Sequence, residues 1–216
     1  MPVQIAPSVL AADFLDLRKD IELINDAGDV IHLDIMDGTL VPNISFGFSV
    51  VDHVAKIARR TMDAHLMVVH PERWFDKLHS EGVQMVSFHL EAAGRSTSRH
   101  IARLHELGIK AGVAINPDMP VERLFPYIGK ADYFLIMSVF AGFGGQKFIP
   151  ESLDRVKALK AELDKRGVKA LIEIDGGVNL ANVEAIRDAG AELLVAGSTV
   201  FKSDDPAATI AALRGV

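Results

Sequence analysis

The sequence predicts an α/β fold, a single (β/α)8 TIM barrel, from three observations. Strand-like segments rich in Val, Ile and Leu alternate with helical patterns along all 216 residues, which is typical of βα units repeated on a parallel sheet. Eight such units can be counted, which fits either a closed barrel or an open doubly wound sheet. The glycine fingerprint of the open sheet is missing after the first strand, where residues 6–10 read APSVL, so the barrel is favoured.

Predicted strands and helices alternate along the whole chain. Short apolar runs predict strands at 3–9, 30–36, 61–67, 84–89, 110–115, 132–138, 169–175 and 193–197. Apolar residues at helical spacing predict helices near 14–27, 47–58, 71–81, 96–107, 120–127, 150–166, 179–189 and 206–214. Six helices are followed by a glycine, where a left-handed cap is expected, at Gly28, Gly82, Gly108, Gly129, Gly167 and Gly190. No Pro/Ser-rich linker divides the chain, so residues 1–216 are expected to form one domain.

Composition restricts the classes of function. A net charge of −6 argues against a nucleic-acid-binding surface. No stretch of about 20 residues is continuously apolar, and the N-terminus lacks the pattern of a signal peptide. We therefore expect a soluble, cytoplasmic protein with no membrane partner. Cysteine is absent, which excludes thiolate metal sites and cysteine nucleophiles and leaves histidine and carboxylates as metal ligands.

The second predicted strand carries polar side chains on one face. His32, Asp34 and Met36 share that face, because alternate side chains of a strand point the same way. Burying an imidazole beside a carboxylate costs on the order of several kcal/mol unless a cation or hydrogen bonds compensate. His65 on the third strand and Asp175 at the end of the seventh can meet this pair at the mouth of the barrel. Two imidazoles and two carboxylates suit zinc and would also accept iron(II), manganese or cobalt. Hydrogen-bonded polar residues at strand ends are the alternative.

Three methionines occupy comparable positions near strand ends. Met36 and Met67 share a strand face with the proposed ligands, and Met137 ends the sixth strand. They are either core filler or an apolar lid over a reacting centre.

Glycine-containing loops after the last three strands suggest a phosphate site. The segment GFGGQK at 142–147 follows the sixth strand, Gly176 and Gly177 follow the seventh, and Gly197 and Ser198 follow the eighth. Glycines allow backbone N–H groups to approach an anion closely. Many barrels bind phosphate at these loops, so three such loops together predict a phosphorylated ligand.

These motifs together resemble the ribulose-phosphate 3-epimerases over essentially the whole chain. In chain order the matching segments are IAPS at 5–8, HLDIMDG at 32–38, VPN at 41–43, HLM at 65–67, MSV at 137–139, GFGGQKF at 142–148 and DGGVN at 175–179. The resemblance implies a metal-dependent barrel of the ribulose-phosphate-binding type. Such an enzyme interconverts D-ribulose 5-phosphate and D-xylulose 5-phosphate in the pentose phosphate pathway.

The resemblance also implies roles for individual residues. It makes His32, Asp34, His65 and Asp175 the ligands of one divalent metal ion per chain, and it makes Asp34 and Asp175 the acid/base pair. It implies a substrate contact at Ser8, and it suggests a homo-oligomer, either a dimer or a larger assembly. The expected sugar-phosphate pocket comprises Ser8, His65, Asp175, Met36, Met67, Met137, Gly142, Phe143, Gly144, Gly145, Gly176, Gly177, Gly197 and Ser198.

One segment departs from the family pattern. Phe140 and Ala141 stand where the family usually has a polar residue and then proline, which frees the backbone at the entrance to the loop over the substrate. D-allulose 6-phosphate is the alternative substrate, and a non-catalytic phosphosugar-binding barrel is an alternative function. A barrel decarboxylase is disfavoured, because residues 32–37 place no lysine between their aspartates.

Overall fold

The computed structural model describes residues 3–215 and confirms the predicted (β/α)8 barrel. The eight strands form one parallel sheet in which each strand from β2 to β7 pairs with the next one in sequence and β8 pairs with β1. The strands are β1 (Gln4–Ala6), β2 (Val30–Met36), β3 (Thr61–Met67), β4 (Met85–His89), β5 (Lys110–Ile115), β6 (Tyr133–Met137), β7 (Leu171–Asp175) and β8 (Leu193–Val195).

The sheet closes between β1 and β2 through a few backbone contacts. The Asp29 N–H donates to the Ile5 carbonyl at 3.0 Å, and the His32 N–H donates to the Pro7 carbonyl at 3.3 Å. A parallel bridge joins Ser8 to His32. Closure therefore places the residues that follow β1 directly beside the polar face of β2.

Helices surround the sheet at nearly all of the predicted places. They are α1 (Leu17–Ala27), α2 (Phe48–Ala55), α3 (Phe75–Ser80), α4 (Leu90–Ala93), α5 (Thr97–Glu106), α6 (Ser152–Arg166), α7 (Val183–Ala189), α8 (Ser198–Phe201) and α9 (Pro206–Arg214). Short 3₁₀ helices add Val9–Ala11, Pro71–Arg73, Gly94–Ser96 and Val121–Tyr127. None of the helices within residues 3–215 is long and apolar enough to cross a membrane.

The structure corrects several local expectations. The first strand is shorter than predicted because Val9–Ala11 turns into a 3₁₀ helix, whose Leu10 N–H donates to Ser8 Oγ at 3.3 Å. The segment predicted as a helix at 120–127 is 3₁₀ rather than α and contains Pro126, which has no backbone N–H to donate. Gly28 has φ −80° and no left-handed conformation. Its small size matters instead, since a Cβ there would lie 2.8 Å from Ile24 Cγ2.

The two faces of the strands pack against different surroundings. On β2, the outward side chains Ile31, Leu33 and Ile35 belong to the large apolar core between sheet and helices. The inward side chains His32 and Asp34 are also buried, but they face the inside of the barrel. The interior is therefore polar towards the carboxyl ends of the strands, where the site lies.

Candidate active site

Four side chains converge at the carboxyl end of the barrel. His32, Asp34, His65 and Asp175 each offer one ligand atom, and these four atoms lie within 4.8 Å of one another. The pairing of β2 with β3 sets Asp34 opposite His65, and β7 brings Asp175 to the same point. Asp34 Oδ1 lies 3.4 Å from His32 Nε2 and 3.2 Å from His65 Nδ1, which is 3.7 Å from Asp175 Oδ2.

Burial and charge displace the pKa values of the two aspartates in opposite directions. For Asp34, burial raises the pKa, but the charge of His32 and the close contacts of the carboxylate with both histidines outweigh it and hold the pKa well below its usual range. For Asp175, burial and then the negative charge of Asp34 raise the pKa to about 7. Two carboxylates with such different proton affinities are the arrangement that acid/base catalysis uses.

The two imidazoles are fully buried, and their pKa values are also displaced in opposite directions. Burial lowers the pKa of His32, but the charge of Asp34 and hydrogen bonds to neighbouring carboxylates raise it well above its usual value. Burial lowers the pKa of His65 to about 4, against the opposing hydrogen bond to Asp34. A neutral imidazole is the form that binds a metal, and burial keeps His65 in that form.

The geometry of these residues fits a divalent cation. His32 Nε2 is buried and makes no hydrogen bond, although buried polar atoms are nearly always paired. It faces Asp34 within a cluster of two imidazole nitrogens and two carboxylate oxygens, a ligand set that zinc and other first-row divalent metals accept. The site could therefore hold a metal ion.

Further buried polar residues lie behind the four candidates and were assigned no role from the sequence. His32 Nδ1 is 2.8 Å from Asp63 Oδ2 and 3.4 Å from Glu173 Oε1. Asp63 and Glu173 stand two residues before His65 and Asp175, so strand alternation alone could have placed them on the inner face. His89 Nδ1 lies 3.4 Å from Glu91 Oε2. His89 also reaches His65, with their Nε2 atoms 2.9 Å apart.

A pocket opens above the cluster. Ser8 lines it and donates a hydrogen bond from its Oγ to Asp34 Oδ2 at 2.5 Å. His65 does not line the pocket, because its side chain is fully buried. The other residues expected in the sugar-phosphate pocket all line it, namely Met36, Met67, Met137, Gly142, Phe143, Gly144, Gly145, Asp175, Gly176, Gly177, Gly197 and Ser198.

The loop with the unusual Phe140 and Ala141 is anchored from two sides. The Ala141 N–H, which a proline would not have, donates to Asn116 Oδ1 at 3.0 Å. Asn43 Nδ2 donates to the Gly142 carbonyl at 2.8 Å from the opposite wall. Phe140 is 52% exposed and lines the pocket, so this segment contributes a phenyl group to the pocket wall.

Comparisons with solved structures show the same fold in proteins of low sequence identity. A 3-hexulose-6-phosphate synthase is 21% identical, with a TM-score of 0.66, and the match covers 99% of this chain and 98% of that protein. A protein named KGPDC from Streptococcus mutans is 10% identical, with a TM-score of 0.75 and coverage of 99% and 96%. At these identities the likeness concerns the barrel alone.

Comparisons of sequence are more specific. The chain matches the ribulose-phosphate 3 epimerase family over residues 4–201. The ribulose-phosphate 3-epimerase of Synechocystis sp. is 42% identical over 214 residues, covering 98% of this chain and 93% of that protein. The enzyme of the same name from Bacillus subtilis is 40% identical and covers 99% of both chains. The motifs that suggested the resemblance thus lie within a full-length match, and the chain belongs to the ribulose-phosphate 3-epimerase family.

Proposed function

We propose that this chain interconverts D-ribulose 5-phosphate and D-xylulose 5-phosphate by removing the proton at C3 and returning one to the opposite face. The observation that carries the proposal is the pair Asp34 and Asp175, which come from different strands, line one pocket and have pKa values displaced in opposite directions. Inversion at a carbon beside a ketone needs an acid/base group on each face. Full-length relatives named for this reaction support the same assignment.

His32, Asp34, His65 and Asp175 would hold one divalent metal ion, with zinc, iron(II), manganese and cobalt as candidates. When bound, the ion supplies positive charge that stabilises the negative charge developing on the substrate oxygens. The protein contributes a preformed set of four ligand atoms from three strands, with His32, Asp34 and His65 buried and Asp175 partly exposed. Such a set costs little reorganisation at the moment of reaction.

The two aspartates exchange their proton-transfer roles with the direction of the reaction. With its pKa held low, Asp34 is ionised at neutral pH and can accept the C3 proton. Asp175, whose pKa is raised to about 7 by burial and by the charge of Asp34, is the group that would deliver a proton to the other face. In the reverse reaction each group takes the other role. The hydrogen bond from Ser8 Oγ keeps the Asp34 carboxylate oriented towards the pocket.

The rest of the pocket would position the sugar. We assign the phosphate to the glycine-containing loops, at Gly144, Gly145, Gly176, Gly177, Gly197 and Ser198, which line one pocket together. Met36, Met67 and Met137 line the same pocket near the aspartates. Their apolar side chains would limit the access of water to the reacting carbon.

Reaction in deuterated water tests the two-carboxylate mechanism. Because the delivered proton is not the one removed, each turnover should place solvent deuterium at C3 of the product. Asp175→Asn should abolish epimerisation, and metal content must be measured in the same sample because the change also alters a ligand. Asp132→Asn, which removes a carboxylate from the loop before β6, should retain activity. Epimerisation without solvent incorporation, or near-normal turnover by a metal-loaded Asp175→Asn protein, would contradict the mechanism.

The pentulose is proposed over the six-carbon D-allulose 6-phosphate because the relatives at 40–42% identity are named for the pentulose. Comparing kcat/KM for the two sugars tests that choice.

Three further expectations stay predictions, namely a single domain over residues 1–216, assembly as a homo-oligomer and a cytoplasmic location. Sedimentation of the purified protein would measure the size of the assembly.

A further inference from the structure

Asp63 is a buried carboxylate directly below the four candidate ligands. It lies on β3, two residues before His65, and its side chain is 0% exposed. Its Oδ2 atom is 2.8 Å from His32 Nδ1, and its Oδ1 atom accepts a hydrogen bond from the Tyr133 hydroxyl at 2.7 Å. Because both oxygens are engaged, the carboxylate cannot rotate without breaking one of these contacts.

Tyr133 reaches Asp63 across the inside of the barrel. It starts β6 and pairs in register with Gly112 on β5, while Asp63 lies on β3. A Cβ added at Gly112 would overlap the Cζ atom of Tyr133, so the missing side chain provides the space that the tyrosine ring occupies. The ring is fully buried, and its hydroxyl therefore has a fixed position from which to hold Asp63.

The contact with Asp63 determines which nitrogen of His32 is available to a metal. When it binds a metal, the imidazole of His32 must be neutral, with one N–H donor and one nitrogen with a free lone pair. A carboxylate at Nδ1 can only accept a hydrogen bond, so it favours the ring form with the proton on Nδ1. The lone pair is then on Nε2, the buried atom that makes no hydrogen bond and lies 3.4 Å from Asp34 Oδ1.

We propose that Asp63, held in place by Tyr133, is a positioning residue that fixes the orientation and ring form of His32 for metal binding. The proposal rests on the proposed function only in taking His32 as a metal ligand. Glu173 Oε1 approaches the same Nδ1 atom from β7, at 3.4 Å, without making a hydrogen bond.

The test measures zinc affinity by competition with a chelator. Asp63→Asn keeps the shape of the side chain but can present an amide N–H to His32 Nδ1, which would leave the free lone pair on the wrong nitrogen. We expect its zinc affinity to fall about 10–100-fold, as typically follows the loss of such a partner. Tyr133→Phe removes only the hydroxyl and should weaken zinc binding in the same direction, by less.

Asp29→Asn is the matched control. Asp29 precedes β2 at the other end of the barrel, where its Oδ2 accepts hydrogen bonds from the Ile5 N–H and from Arg214. The same chemical change at that position should leave zinc affinity unaltered. A loss of affinity in this variant equal to that of Asp63→Asn would indicate a general effect on the fold and would overturn the proposal.

A second measurement separates positioning from stability. Nitrogen NMR of the zinc-loaded protein should show His32 protonated at Nδ1 in the wild type and altered in Asp63→Asn. Wild-type affinity together with an unchanged His32 signal in Asp63→Asn would overturn the proposal. If Asp63→Asn does not fold, Tyr133→Phe provides the test instead, and wild-type zinc affinity in that variant would contradict the proposal.

His32→Ala tests the proposed function separately, since unchanged zinc binding in that variant would remove His32 from the ligand set itself.

Discussion

At the scale of single residues, Gly177 and Gly145 differ in the space around them. Both line the pocket and both have a left-handed backbone, with φ +66° and +72°. A Cβ at Gly177 would lie 2.5 Å from the Phe148 nitrogen and 2.9 Å from the Gln146 carbonyl oxygen, whereas nothing lies within 4 Å of one at Gly145. Both glycines therefore have a left-handed backbone, but only Gly177 is also packed closely against another loop.

This difference predicts unequal effects of alanine. Gly145→Ala should cost about 1–2 kcal/mol, the penalty of a left-handed backbone with a Cβ. Gly177→Ala should cost more and raise KM for the sugar phosphate, because the backbone of residues 146–148 must move. Urea unfolding and steady-state kinetics of both variants provide the measurement. Equal losses of stability in the two variants would contradict the role given to close packing at Gly177.

At the scale of elements, α5 is joined to the core through a buried histidine. His100 lies between the rings of Phe75 and Phe88, with centroid distances of 5.6 and 5.5 Å and nearly perpendicular planes. Burial lowers the pKa of His100, although Glu72, whose Oε2 atom lies 3.6 Å from Nε2, opposes the shift. Arg99 acts in the same direction as burial. His100 therefore packs as a neutral ring.

The lowered pKa makes the stability of this packing depend on pH. In the unfolded chain His100 binds a proton below its ordinary pKa of about 6.5, whereas in the folded chain it stays neutral to lower pH. The contribution of the neutral His100 to the free energy of unfolding is therefore complete above about pH 6.5 and is lost as the pH falls below that value. His100→Phe should reduce the loss of unfolding free energy on acidification, measured by urea titration on both sides of the histidine pKa.

The exposed His53 provides the control for this effect. Its side chain is 74% exposed, so His53→Phe should leave the pH dependence of stability as in the wild type. If the His100→Phe protein loses as much stability on acidification as the wild type, the buried imidazole is not the group responsible.

At the scale of the whole molecule, the candidate metal site joins distant parts of the barrel. The four ligand atoms come from β2, β3 and β7, so they meet only in the folded chain. An ion that binds only the folded chain stabilises it by mass action. At a free metal concentration about 100 times the Kd, the gain is about 2.7 kcal/mol. Chelation should therefore lower Tm in the wild type.

His65→Ala is the comparison that assigns this effect to the site. The variant should lose bound metal and activity together, and its Tm should no longer respond to the chelator. Differential scanning calorimetry with and without chelator, alongside metal analysis, measures both. Full activity of rigorously metal-free wild type, or a chelator effect that persists in His65→Ala, would refute the metal site.

The sequence by itself determined the barrel and most of the residues that line its mouth. Strand and helix periods are local properties, and the carboxyl ends of barrel strands meet at one mouth whatever the details of packing. The sequence alone therefore groups His32, Asp34, His65 and Asp175. The glycine loops could be assigned to a phosphate from their positions after the last three strands, and the family motifs, each a short continuous segment, added Ser8.

Tertiary structure alone decided which side chains meet across the barrel. Tyr133 and Asp63 are 70 positions apart, and their hydrogen bond depends on strand register and on the space left by Gly112. The anchoring of Gly142 by Asn43 spans 99 positions, and no local pattern predicts which side chain approaches that loop. Periodicity states which face a residue occupies, but the partner on that face depends on how the closed sheet is staggered and packed.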